Sequence, residues 1–107
     1  MKELVKTLVT EFDDKEYAHA YMEDFSNMAI AAQIKVLREQ RGWTQKELAD
    51  ISGMKQERIC TLEDIDYDAW TIKTLRKLAK AFDLTVKLSF EKFSNGILDV
   101  TKINAET

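Results

Sequence analysis

The stretch from residue 45 to residue 64 decides the fold of this chain, and it reads Gln45-Lys46-Glu47-Leu48-Ala49-Asp50-Ile51-Ser52-Gly53-Met54-Lys55-Gln56-Glu57-Arg58-Ile59-Cys60-Thr61-Leu62-Glu63-Asp64. Ala49 lies four residues before Gly53, and Ile59 and Leu62 lie six and nine residues after it. Small, glycine and apolar positions at these offsets allow two short helices to cross at close range. The stretch therefore predicts two helices joined by a fixed turn, with the second helix held outward.

This geometry predicts a helix-turn-helix unit, whose second helix is shaped to enter the major groove of DNA. The flanking residues agree with the prediction. Thr44 and Glu47 are spaced as a capping box, and Trp43 and Leu48 occupy the two positions of a hydrophobic staple. Thr71 after Trp70 predicts a similar start for a later helix, so we interpret both tryptophans as helix-entry clamps rather than ligand platforms.

Composition limits the class of protein. The chain has 107 residues, no proline and three glycines, which predicts one mostly helical domain. Its single cysteine, Cys60, cannot form an internal disulfide, so a cytoplasmic protein is expected. We find no apolar run long enough for a membrane span, no signal peptide, and no residue set typical of a catalytic, metal or cofactor site. We therefore predict a protein that is not an enzyme and has no cofactor.

Helical periodicity predicts the rest of the organisation. Apolar residues repeat at helical spacing over 2–12, and Asp13 with Glu16 predicts the start of a second helix. A third helix is predicted to end at Gly42 and a last one to cover 72–82. The expected segments are an N-terminal helical extension over 1–28, a helix-turn-helix DNA-binding domain over 29–83, and a C-terminal dimerisation strand and tail over 84–107.

One stripe of the second predicted helix is aromatic. Tyr17, Tyr21 and Phe25 follow one another at four-residue spacing. Core packing is the simpler interpretation, and a surface for a partner protein is the alternative.

The segment 84–90 alternates between apolar and polar residues, which predicts a half-buried strand. Its backbone groups need a partner. Ser94-Asn95-Gly96 would allow a hairpin with 97–103, whereas the same strand of a second subunit would allow an antiparallel pair. We favour the second arrangement, because it also predicts the homodimer that helix-turn-helix proteins commonly form.

The helix-turn-helix block resembles the Cro/repressor-type, or Xre, family over about residues 31–90, and its pattern Gln-x-x-x-Ala-x-x-x-Gly-Met-x-Gln is close to that of lambda-type repressors. The resemblance implies a mostly α fold. We expect a lambda-repressor-like five-helix helix-turn-helix domain, with extra N-terminal helices and a C-terminal β-strand.

Together, the resemblance and the side-chain chemistry predict eight DNA-binding residues: Gln45, Lys46, Lys55, Gln56, Glu57, Arg58, Cys60 and Thr61. Gln56 can make a bidentate contact to adenine, and the resemblance implies that Gln45 works with it. Lysine and arginine side chains of this set can neutralise phosphates, as can Arg41. Thr61 can meet a base edge or a thymine methyl, and Glu57 can accept from cytosine.

Three departures from the family pattern bear on this prediction. Lys55 stands where a capping Ser or Thr is frequent, which costs about 1 kcal/mol of helix stability. Cys60 and Thr61 replace more usual polar or basic residues. Asp64, Asp66 and Asp68 follow the second helix, and these carboxylates should avoid phosphate. The alternative interpretation is that the chain retains the fold while its affinity for DNA is weak or lost.

Two functions are compatible with the sequence. The first is a DNA-binding transcriptional regulator, acting as a repressor, that binds a palindromic operator as a dimer. The second is an antitoxin, because residues around 32–38 and 71–82 also resemble HigA-type antitoxins, which cover a toxin and repress their own operon. The first 32 residues carry three lysines and seven acidic residues, which would suit a basic toxin.

Overall fold

The computed structural model describes residues 14–93. Within this range it contains four helices: α1 (Lys15–Gln40), α2 (Gln45–Ser52), α3 (Gln56–Leu62) and α4 (Ile72–Ala81). Residues 26–88 form one compact unit, and the described residues 14–25 and 89–93 belong to another. The helix predicted over 2–12 lies outside the described residues, as does the second arm of the alternative hairpin over 97–103.

Helix α1 is one continuous helix where the sequence predicted two. The sequence suggested one helix starting after Asp13 and another ending at Gly42, but α1 is a single helix of 26 residues. No glycine or proline interrupts residues 15–41, so nothing forces the hydrogen-bond ladder to stop. Its end at Gly42 is confirmed: this glycine has φ 69°, and the Trp43 N–H reaches back to the Arg38 carbonyl at 3.2 Å.

The start of α2 is also confirmed. The Thr44 hydroxyl accepts from the Glu47 N–H at 3.1 Å, and the Glu47 carboxylate accepts from the Thr44 N–H at 3.2 Å. The helix ends at Gly53, which has φ 72° and donates its N–H to the Ala49 carbonyl. The Ala49–Gly53 spacing in the sequence therefore corresponds to one helix end, where glycine adopts a left-handed conformation at little steric cost.

The helices α3 and α4 begin differently. Lys55 is the N-cap of α3 and makes no side-chain capping bond, as its sequence predicts. Thr71 caps α4 by accepting from the Thr74 N–H at 3.1 Å. The other end of α4 is closed by Asp83, a non-glycine residue at φ 58°, and the next N–H, from Leu84, bonds to the Ala79 carbonyl at 2.8 Å.

The core of residues 26–88 lies where the helix-turn-helix meets α1 and α4. Its buried side chains are Ile34, Leu48, Ala49, Ile59, Leu62, Leu78 and Phe82. Trp43 packs against this cluster and stacks on Phe82 with ring centroids 5.9 Å apart, while Trp70 meets Tyr67 edge to face at 5.1 Å. Both tryptophans thus pack against the core, while their role as helix-entry clamps stays a prediction.

A small cluster lies on the N-terminal part of α1. Ala18 is fully buried, and Tyr21, Met22 and Phe25 pack against it. The Tyr17 and Tyr21 rings lie 6.3 Å apart. The predicted aromatic stripe therefore contributes to packing within the unit to which residues 14–25 belong.

The predicted five-helix domain with a C-terminal strand is wrong for the described residues, which contain four helices and no strand. The alternation over 84–90 shows only which side chains can share a face, whereas a strand also needs a ladder to a second extended segment. No described segment supplies one. Leu84, Val86 and Leu88 instead border a cavity of about 240 Å³ that α1 and α4 also line. The subunit pairing predicted through this strand loses its structural basis.

Candidate nucleic-acid interface

The short helix α3 has one buried face and one exposed face. Ile59 and Leu62 have no exposed surface, so they anchor the helix in the core. The remaining side chains of this helix and its N-cap are exposed: Lys55, Gln56, Glu57, Arg58, Cys60 and Thr61. Five of the eight predicted DNA-binding residues are therefore presented to solvent by one helix of seven residues, and a sixth, Lys55, by its N-cap.

Gln45, the first residue of α2, is oriented by the end of α3. Its side-chain nitrogen donates to the Glu63 carboxylate at 3.4 Å. The half-buried Gln45 thus has a fixed neighbour before any DNA is bound. Its predicted cooperation with Gln56 stays a prediction.

Glu63 is held in turn by Arg38 of α1. The guanidinium donates through Nε to Oε2 of Glu63 at 2.7 Å and through a second nitrogen to Oε1 at 3.0 Å. The side chains of Arg38 and Glu63 are only 12% and 4% exposed. The hydrogen bond to Glu63 raises the pKa of Arg38, against the opposing effect of burial. This bidentate pair fixes the start of α2 and the end of α3 to α1.

The sequence alone does not predict this ion pair. Arg38 and Glu63 are 25 residues apart, so no helical or strand spacing relates them. Arg38 also donates to the Trp43 carbonyl at 2.7 Å, which brings the turn before α2 into the same network. The only available signal is that Glu63 immediately follows the last apolar anchor of α3, too weak to indicate a partner.

Thr61 has a defined hydroxyl direction. It donates to the Glu57 carbonyl, four residues earlier in α3, at 3.0 Å. The donated proton is therefore already used, while the oxygen lone pairs and the methyl group remain for another contact. This suits a thymine methyl or a base amino group better than a phosphate oxygen. Cys60 beside it is an exposed free thiol.

Arg41, which the sequence suggested as a phosphate ligand, is used inside the protein. Its guanidinium donates to the Leu37 carbonyl at 3.0 Å and to the Phe82 carbonyl at 2.8 Å. It also lies 4.9 Å from the Phe82 ring centroid and 5.9 Å from that of Trp43. Arg41 therefore ties the end of α1 to the end of α4.

The acidic loop after α3 is exposed at Asp64, Asp66 and Asp68. The Asp64 carboxylate accepts from the Asp66 N–H at 2.9 Å, a local turn contact. Across residues 14–93, no three or more His, Cys, Asp and Glu side chains are grouped so as to hold a metal ion. None of the four helices has the length and apolarity to cross a membrane.

Comparison with known proteins agrees with this geometry. Residues 26–91, more than half of the chain, match a family model described as a helix-turn-helix domain, and the protein belongs to this family. It is an Xre-type helix-turn-helix DNA-binding protein related to antitoxins, as the sequence predicted.

Two kinds of relative were found. Antitoxin HipB of Escherichia coli K12 is 33% identical over 69 residues, which cover 64% of this chain and 77% of HipB. HipB of Escherichia coli O6:H1 is 32% identical over 64% of this chain and 72% of its own length. The competence pilus inhibition repressor of Acinetobacter baylyi is 36% identical over 59% of this chain and 56% of the repressor. No solved structure matches the chain.

Proposed function

We propose that this protein is a transcriptional regulator, acting as a repressor, and that it binds a palindromic operator as a dimer with α3 in the major groove of each half-site. The main support is the division of α3 into an anchored face, with Ile59 and Leu62 fully buried, and an outward face that carries polar side chains. A helix held in this way can enter a groove without losing its packing. The relatives are named as antitoxins and a repressor, and we propose no catalytic activity.

The outward residues differ in the contacts that they suit. Gln56, at the start of α3, has both an acceptor and a donor for a bidentate contact to adenine. Gln45 would approach the DNA backbone from the start of α2, where Glu63 positions its side chain at 3.4 Å. Lys46, Lys55 and Arg58 would neutralise phosphates, because their exposed charges are sequence-independent partners for the backbone.

The small size of α3 supports the proposal that the protein binds DNA as a dimer. Helix α3 has seven residues, and only its outward side chains can reach base edges. One copy would therefore read few base pairs, whereas two copies related by a two-fold axis would double the site. The half-sites would then lie one helical turn apart, about 34 Å.

The test is a titration of labelled DNA from upstream of the gene, followed by fluorescence anisotropy, against a scrambled duplex of equal composition. We expect tighter binding to the upstream fragment. The Gln56→Ala variant should lose about 1–3 kcal/mol of this preference, because one bidentate base contact is removed.

The matched control is Gln33→Ala, which removes an exposed glutamine from α1. It should bind as the wild type does. Equal affinity of the wild-type protein for the two duplexes would refute a sequence-specific regulator.

The second candidate function is that of an antitoxin that neutralises a toxin and represses its own operon. Its support is the 33% identity to antitoxin HipB over 77% of that protein. The acidic residues of the first 32 positions would attract a basic partner. Deletion of residues 1–25 should abolish co-purification with the product of the adjacent gene and leave DNA binding intact.

A variant that changes only charge tests whether the acidic side chains, rather than the shape of the N-terminal segment, attract the partner. Glu23→Gln with Asp24→Asn keeps the exposed surface of α1 but removes two negative charges. It should weaken co-purification and make the remaining binding less dependent on salt. A neighbouring gene product that binds the truncated protein as well as the full chain would contradict the proposal.

A further inference from the structure

A basic cleft lies between the start of α3 and the first turns of α4. Its volume is about 480 Å³, and its lining residues are Met54, Lys55, Arg58, Lys73, Thr74 and Lys77. Four of these six side chains are cationic and none is acidic. We refer to this site as the basic cleft.

The cations of the basic cleft have no carboxylate partner among the described residues. Over residues 14–93, the ion pairs within 4.0 Å are those that Arg38 makes. Arg58 lies over the Tyr67 ring at 5.3 Å from its centroid, so this loop aromatic supports the guanidinium from one side. Lys73 and Lys77 are one helical turn apart, an arrangement that is unfavourable when nothing neutralises it.

The basic cleft lies directly beside α3, the helix that we propose enters the major groove. Lys55 and Arg58 directly flank Gln56 and Glu57 on α3. When α3 enters a major groove, the sugar–phosphate backbone that borders the groove must pass beside the helix. The side of α3 that carries Lys55 and Arg58 is the side that faces α4 across the cleft.

We propose that the basic cleft binds consecutive phosphates of the operator strand that borders the bases read by α3. In this arrangement Lys73 and Lys77 make α4 a second DNA-contacting helix. Their contacts are to the backbone alone, so they add affinity without adding sequence preference. The inference rests on the proposed DNA-binding function and assigns a role to two lysines outside the helix-turn-helix.

Salt dependence provides the test. Each phosphate contact that is lost reduces the slope of log affinity against log salt by about 1, so Lys73→Gln with Lys77→Gln should reduce it by about 2. The same loss is expected on the upstream fragment and on the scrambled duplex. Far-ultraviolet circular dichroism and thermal unfolding would verify that the full-length variant remains folded.

The matched control is Lys80→Gln with Lys35→Gln, which removes the same net charge from exposed positions outside the cleft. Its slope should remain close to that of the wild type. If both double variants changed the slope equally, net charge would explain the effect, and the proposal that the cleft binds phosphates would be overturned. An unchanged slope for the Lys73 and Lys77 variant would also overturn it.

The two proposals fail in different ways. If the wild type binds both duplexes equally but the cleft variant loses slope, sequence-specific regulation fails and the cleft stands. If Gln56→Ala removes the preference while the cleft variant behaves as wild type, the regulator stands and the cleft fails. Inorganic phosphate, added at constant ionic strength, tests whether the cleft is instead a site for free phosphate. We expect it to leave DNA affinity unchanged, and specific competition with DNA would overturn the proposal.

Discussion

At the scale of single residues, the Arg38–Glu63 pair determines how the helix-turn-helix is attached to α1. Glu63 accepts from Arg38 and from Gln45, so one carboxylate connects α1, the start of α2 and the end of α3. The pair is almost entirely removed from solvent. A buried pair of this kind is costly to break, because the remaining charge lacks a partner.

Substitution of Arg38 with Met should therefore lower the free energy of unfolding by about 3 kcal/mol. Chemical denaturation would measure the change, with Arg76→Met on the exposed surface of α4 as the control. The raised pKa of Arg38 keeps the guanidinium of the wild type charged throughout the neutral range, so the pair is intact there. A loss no larger than that of the control would contradict the structural role of the pair.

At the scale of elements, the ends of the helices are determined by local chemistry. Thr44 and Glu47 satisfy each other's backbone groups, and the left-handed conformations of Gly42 and Gly53 end α1 and α2. These features involve residues within a few positions of one another. For this reason the sequence predicted the capping box and the end of α1 at Gly42 correctly.

The conformation of Gly53 leads to a prediction at this scale. At φ 72° a side chain is strained, although a Cβ atom there would meet no other atom within 4 Å. Gly53→Ala should therefore cost about 1 kcal/mol of stability from backbone strain alone. Gly53→Asn should cost less, because Asn tolerates the left-handed region. Thermal unfolding would measure both, and equal losses would argue against a purely conformational cause.

At the scale of the whole molecule, the distribution of charge matters more than its total. The net charge is −3, yet the basic cleft concentrates four cations beside the exposed face of α3. A negative chain can therefore present a positive surface to DNA. Lys73 and Lys77 lie at least nine residues beyond the helix-turn-helix stretch of residues 45–64 in the chain. Only the packing of α3 beside α4 brings them together with Lys55 and Arg58.

The sequence by itself determined the helix-turn-helix, its caps and its apolar anchors, since these depend on spacings that a single helix or turn imposes. Only the tertiary structure decided that α1 is one helix, that Arg41 is used internally, and that residues 84–90 lack a strand within the described chain. It also brought together the Arg38–Glu63 pair and the basic cleft. Contacts between residues far apart in the chain leave no periodic signal, because packing rather than local backbone geometry creates them.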